Sequence, residues 1–323
     1  MSSALYQVLH DTHYRYSAPV SLAQQLAHLW PRDCPWQRCH EQELRIDPQP
    51  CQRRDGLDVF GNPLTRLVFE RPHEQLSVSA RLRVEVLTRA PLELDDSPNW
   101  EAACAALSYS GKRMEPALLE AARYRFESPY VRLKQVFADY ADDCFTPGRP
   151  LLQACQALMQ KIFDEFSFDA EATQVATPLL QVLEEKRGVC QDFAHLMLAC
   201  LRSRGLAARY VSGYLLTQPP PGQPRLIGAD ASHAWVAVPH VQASPSASEP
   251  AQATHWAHFD PTNHRSGLHR PGEDYVILAV GRDFGDVSPL RGVIQGGGEH
   301  TLDVAVTVAP PEDLATLMGD ETA

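Results

Sequence analysis

RGVCQDFAHLMLACLRSRGLAARYVSGYL, residues 187–215, places a helix and a strand in immediate succession. Apolar residues three and four apart predict an amphipathic helix from about Cys190 to Arg204, and Gly205 closes it as the residue that most readily turns left-handed after a helix. AARYVSGYLL then reads as a strand. Cys190 falls in the first turn, where unpaired backbone N–H groups and the helix dipole favour a negative charge. A thiolate so placed is a nucleophile. Cys200, on the same helix, reads as a small buried hydrophobe.

Downstream, HAWVAVPH and THWAHFD read as two more strands. His233 opens the first and shares a face with Trp235, so an imidazole stands at the sheet end facing the helix start. Histidine suits the task of taking a thiol proton and later handing it to a leaving amine. Asp260 ends the second strand just before Pro261, which stops the ladder and lets the carboxylate lean toward His233 to fix its tautomer. Cys, His and Asp thus sit at the ends of a helix, a strand and a strand. Two low-complexity stretches, TQPPPGQP and QASPSASEPAQA, read as flexible surface excursions between the strands.

Upstream, YVRLKQVFADYA and LLQACQALMQKIFDEF carry helical spacing, the second preceded by Pro147 and Pro150. From Tyr6 to about Leu87 the pattern is of strands broken by turn residues: YQVLHDTHYRY, ELRIDP, FGNP, TRLVFE and LSVSARLRVEVL. The fold class is α+β: an N-terminal antiparallel β-sandwich-like domain over 1–95, a catalytic domain over 96–310, and an acidic tail over 311–323.

The net charge of the 323 residues is −11, and no basic stretch interleaved with aromatics occurs, which argues against nucleic-acid or anionic-membrane partners. The N-terminus has no basic region followed by an apolar one, and no apolar run is long enough to span a bilayer, so the expectation is a cytoplasmic protein. Eight cysteines without a CxxC pair fit a reducing compartment. The spacing of Cys34, Cys39 and Cys51 matches no zinc pattern, and His255 and His258, three apart on a strand, face opposite sides. His264 and His269 are likewise not read as metal ligands. No metal and no cofactor is expected.

The three segments RGVCQDFAHLMLACLRSRGLAARYVSGYL, DASHAWVAV and HFDPTN resemble the transglutaminase-like cysteine enzyme superfamily, related to papain, over about Leu151 to Asn263. HDTHYRYSAPV, WPRDCPWQRC, LRIDPQP and DVFGNP resemble the N-terminal β region of a bacterial subfamily, and AVGRDFGDVSPLRGVIQGGGEHTLDVAVTV its C-terminal end. The resemblance implies a papain/transglutaminase-like core with Cys190 as nucleophile, His233 as base and Asp260 as orienting acid. Gln191 stands where a basic residue often follows the cysteine. Asp192 fits the subfamily pattern in a first-turn role. The first oxyanion donor is the N–H of Cys190; Arg282 and Asp283 are read either as lining the site or as a solvated salt bridge. The expected chemistry is attack on a peptide, γ-glutamyl or isopeptide amide through a thioester, ending in hydrolysis. The alternatives are transfer to an amine, as in a transglutaminase, or a non-catalytic peptide-binding scaffold. Members of the subfamily occur alongside ATP-dependent peptide-ligase-like proteins, which implies small or isopeptide-type substrates.

Overall fold

Alternating side chains in the N-terminal third become long antiparallel strands in the computed structural model, which describes residues 3–88, 90–108, 115–170, 177–217, 232–240 and 255–313. Most of both low-complexity stretches and the tail beyond 313 lie outside the described residues. The strands are β1 (Ser3–Ala27), β2 (Gln37–Asp47), β3 (Gln52–Leu57), β4 (Pro63–Phe69) and β5 (His73–Leu87). In β5 every second residue from Leu76 to Val86 is buried, as the period-two pattern of LSVSARLRVEV requires. β3 is exposed throughout and polar, so no hydrophobic period marks it in the sequence.

Helices follow as α1 (Trp100–Ala106), α2 (Pro116–Ala122), α3 (Gln135–Tyr140) and α4 (Leu151–Glu165). Asn99 caps α1 by accepting from the Ala102 N–H at 2.8 Å, and Pro150 precedes α4 where the missing N–H costs nothing. The expected helix over YVRLKQVFADYA shortens to α3. Residues 128–131 form a reciprocal turn instead, with the Ser128 and Val131 N–H groups bonded to each other's carbonyls at 3.0 and 3.1 Å.

A short parallel pair, β6 (Ser167–Phe168) and β7 (Arg187–Gly188), brackets α5 (Leu179–Glu185) and leads into α6 (Cys190–Ser203). Then come β8 (Arg209–Leu215), β9 (Ser232–His240), β10 (His255–Asp260), β11 (Arg265–Leu268) and β12 (Tyr275–Gly281). They form one sheet in the order β11-β10-β9-β8-β12. One face packs on α4 and α6 through Tyr210, Tyr214, Val236, Val238, Phe259 and Leu278; the other packs Val211, Trp235, Trp256 and Ile277 against Ala121 and Tyr124. Burial on both faces explains why these strands read as nearly continuous apolar runs. α6 is not amphipathic in place: every residue from Asp192 to Arg202 is buried. A helix apolar all round belongs in the middle of a core. Its one buried cation, Arg202, is held by the carbonyls of Ala208 (2.8 Å) and Arg282 (2.5 Å) and by Ser128 Oγ (3.3 Å).

The chain closes with α7 (Phe284–Val287), β13 (Leu290–Gly296) and β14 (His300–Ala309). Both final strands return to β1, β14 along Gln7–Tyr16 and β13 along Val20–Ala27. β1 thus serves two halves, with β5 and β14 on its first part and β4 and β13 on its second. Val20, Ala23, Leu67, Phe69, Leu76, Val78 and Ala80 pack together between these halves, which makes the region sandwich-like. A cut at 95 and 310 does not separate two bodies, because 290–309 pairs inside the N-terminal sheet.

The two parts also share one core. Tyr6, Val8, Trp30, Leu82, Val84 and Val86 pack in the same cluster as Leu152, Leu158, Leu198 and Leu206. β12, the open edge of the second sheet, is closed by side-chain amides rather than by a strand. Gln37 donates to the Ile277 carbonyl (2.8 Å) and accepts its N–H (2.8 Å); Asn62 does the same to Val280 (2.8 and 2.9 Å). An uncovered edge would leave these groups unpaired in a buried setting.

Candidate active site

Cys190 is the first residue of α6, and the turn before it is shaped by its own helix. The Val189 N–H donates to Asp192 Oδ2 (2.9 Å) while the Asp192 N–H donates to the Val189 carbonyl (2.9 Å). Asp192 is buried and satisfies an N–H at the helix start that would otherwise lack a partner. The first-turn role read from sequence is this cap. Gly188 is required by the same closure, since a Cβ there would stand 2.8 Å from Asp192 Oδ2.

His233 is the second residue of β9 and Asp260 ends the neighbouring β10, and antiparallel pairing of the two strands brings both side chains to one end of the sheet. His233 Nε2 lies 2.7 Å from Asp260 Oδ2, and Cys190 is near enough to the same imidazole to help raise its pKa. Both His233 and Asp260 are buried, and Cys190 is partly so. Burial by itself disfavours the imidazolium, but the Asp260 carboxylate and then Cys190 outweigh it, and the His233 pKa is raised to about 10. Burial likewise pushes the Asp260 carboxyl up, and His233 with its other donors more than reverses this, so it lies below the ordinary value.

Asp260 has five donors: the His233 ring, Asn263 Nδ2 (2.8 Å) and the Tyr275 hydroxyl (2.7 Å) on Oδ2, and the N–H groups of Thr262 (2.9 Å) and Asn263 (3.3 Å) on Oδ1. Sequence reasoning missed Asn263 and Tyr275. Asn263 carried a local signal, three residues after Asp260 across a proline turn where a side-chain amide can fold back. Tyr275 carried none, because β12 reaches Asp260 only through the sheet order. Trp235 stacks beside His233, with ring centroids 6.0 Å apart, and donates its indole N–H to His258 Nδ1 (2.8 Å).

The remaining candidates lie elsewhere. Arg282 binds Asp286 through two nitrogens at 2.9 Å, a partly exposed ion pair. Asp283 is buried as the cap of α7, accepting from Gly285 N (2.9 Å) and Tyr130 N (2.9 Å). Arg282 is thus in a salt bridge, with Asp286 and not with Asp283, which is a buried cap rather than a solvated partner. His255 faces His269, with ring nitrogens 3.1 Å apart, while His258 faces Trp235, so the two do not converge. His264 stacks on Phe163. His195, one turn into α6, is buried beneath Tyr130 and takes the Phe284 N–H on Nε2 (3.1 Å); burial, followed by the nearby Arg202, lowers its pKa to about 3, so it is a neutral packing residue.

A raised His233 pKa has a definite pH consequence for stability. The group gains its interactions on folding, so its contribution is complete below the unfolded value near 6.5 and is lost as pH rises toward about 10. The depressed Asp260 contributes above its unfolded value and loses that contribution as pH falls through the folded one. The thermal midpoint of the wild type is expected to fall by a few degrees between neutral pH and 10, and more steeply than that of His233→Gln. Equal slopes in scanning calorimetry would show that the imidazole is not held charged.

Comparison with known proteins agrees with this architecture. The model of the transglutaminase-like superfamily matches residues 138–261, and that of the bacterial transglutaminase-like N-terminal region matches 6–85. An uncharacterized protein of Mycobacterium tuberculosis is 37% identical over 314 residues, covering 95% of this chain and 93% of its own. One from Mycobacterium leprae is 28% identical over 305 residues, covering 94% and 97%. A crystal structure from Cytophaga hutchinsonii, put forward as a cysteine protease, superposes with a TM-score of 0.71 at 17% identity, over 96% of this chain and 92% of the other; it shows the likeness of fold. The chain belongs to the transglutaminase-like superfamily and carries the bacterial N-terminal region of that family.

Proposed function

We propose that the protein cleaves an amide or isopeptide bond by thiol chemistry, with Cys190 as nucleophile, His233 as acid and base, and Asp260 as the group that orients the imidazole. The observation that carries this reading is a thiol at a helix start beside an imidazole whose Nε2 lies 2.7 Å from a buried carboxylate. In that arrangement the ring holds the proton that the sulfur gives up, and the sulfur attacks the carbonyl carbon. The tetrahedral oxygen meets the Cys190 N–H at the helix start. The imidazolium then protonates the leaving amine, leaving a thioester. Water, activated by the same imidazole, releases the acid.

Hydrolysis is the favoured outcome because water needs no acceptor site. Transfer to a second amine would use the same first half of the reaction. An association with peptide-ligase-like proteins, which the family resemblance implies, would favour small γ-glutamyl or isopeptide substrates. The test is a screen of peptide, γ-glutamyl and ε-lysyl amides, following amine or ammonia release with and without an added amine acceptor. Release without acceptor, abolished by prior alkylation of Cys190, is expected. Turnover that survives alkylation would overturn the reading.

A further inference from the structure

We infer that Asn263 is a positioning residue that roofs the Asp260–His233 hydrogen bond, holding the carboxylate against the imidazole and keeping water from both. The inference rests on the reading of Cys190 as the nucleophile and adds a residue to its machinery. Asp260 is 0% exposed and His233 9%, whereas Asn263, three residues on, is an exposed residue. Its Nδ2 lies 2.8 Å from Asp260 Oδ2 and 3.2 Å from His233 Nε2, so the amide sits across the bond that joins them. From the buried side the Tyr275 hydroxyl reaches the same oxygen at 2.7 Å.

The placement of that amide is set by the aspartate itself. Asp260 Oδ1 takes the N–H groups of Thr262 and Asn263, which fixes the turn through Pro261 and aims the Asn263 side chain back over Oδ2. The short polar side chain does what an apolar one could not: it excludes water while giving a donor to a carboxylate that must stay ionised. Removing it admits water to one side of the ion pair. Water screens the attraction that holds the proton on His233, so the ring loses its proton at a lower pH.

The experiment uses the full-length protein and iodoacetate. This anionic probe reacts fastest with a thiolate that faces an imidazolium, so its rate at Cys190 falls as His233 deprotonates. Site-specific alkylation is followed by mass spectrometry against pH for the wild type and Asn263→Ala. The downfield proton resonance of His233 Nε2–H is recorded for both, and thermal midpoints serve as the folding control. The wild type is expected to show selective uptake at Cys190 with an alkaline break near the His233 pKa of about 10. In Asn263→Ala the break moves down by about one unit or more, the resonance broadens through solvent exchange, and the midpoint at neutral pH falls only by the few degrees that this shift itself implies.

If wild-type Cys190 reacts no faster than the exposed Cys51, both the nucleophile reading and this inference fall. If Cys190 is selective but Asn263→Ala keeps the wild-type break and proton signal, the inference alone is overturned. A shifted break accompanied by a large loss of thermal stability would also overturn it, because a structural role would then suffice.

Discussion

Cys190→Ala is expected to abolish turnover, with a loss on the order of 10⁵ to 10⁶ in the acylation rate, the size seen when a nucleophile is removed from a comparable triad. His233→Ala is expected to come close to this, since the ring takes the thiol proton and later supplies the proton of the leaving amine. Asp260→Asn should do roughly two orders of magnitude less harm, because the amide still holds the ring against Cys190. Stability separates the three in a different order. Cys190 is partly exposed at a helix start, and its truncation should cost no more than about 0.5 kcal/mol. Asp260→Asn removes an ionised acceptor from buried donors and should cost about 1–3 kcal/mol. Single-turnover acylation and urea unfolding of the purified variants measure both scales. Wild-type acylation by Cys190→Ala, or a larger rate loss for Asp260→Asn than for His233→Ala, would overturn the role assignment.

The second large effect is on folding. A chain starting near Asp96 is expected not to fold, although the sequence reads residues 1–95 as a separate module. Removing them uncovers the side of the core that Tyr6, Val8, Trp30, Leu82, Val84 and Val86 close. It strips β12 of Gln37 and Asn62, leaving the N–H and carbonyl groups of Ile277 and Val280 without partners. It also leaves β13 and β14 without β1, their only strand partner among the described residues. Each large apolar side chain returned to water costs about 1.5–3 kcal/mol, so six of them match or exceed the whole stability of an ordinary domain. Circular dichroism and amide-exchange NMR of the truncated chain measure this. A cooperatively folded fragment that still alkylates selectively at Cys190 would show that the N-terminal sheet is an appendage.

Local chemistry made part of this protein legible from its residues. α6 begins at Cys190 and ends before Gly205, whose φ of +79° is the left-handed turn that glycine favours, and β8, β9 and β10 lie close to where their apolar runs place them. Asp192 could be assigned to the first helical turn because capping involves only neighbours in sequence. The order Cys190, His233, Asp260 was readable because each residue stands at an element end that its own flanking residues mark.

Whatever depends on which strand lies beside which was decided by the tertiary structure. The burial of α6 on every side follows from the elements packed around it, so the sequence alone read it as amphipathic. Tyr275 reaches Asp260 because β12 and β10 belong to one sheet, a fact with no period or spacing to announce it. β13 and β14 join β1 across most of the chain length, and Gln37 and Asn62 act as strand substitutes for β12 at sequence separations of 240 and 218. Sequence patterns report the forces between a residue and its near neighbours and its preference for water or core. They carry no term for the particular distant partner that satisfies it, and the boundary between the two parts of this chain rests on such partners.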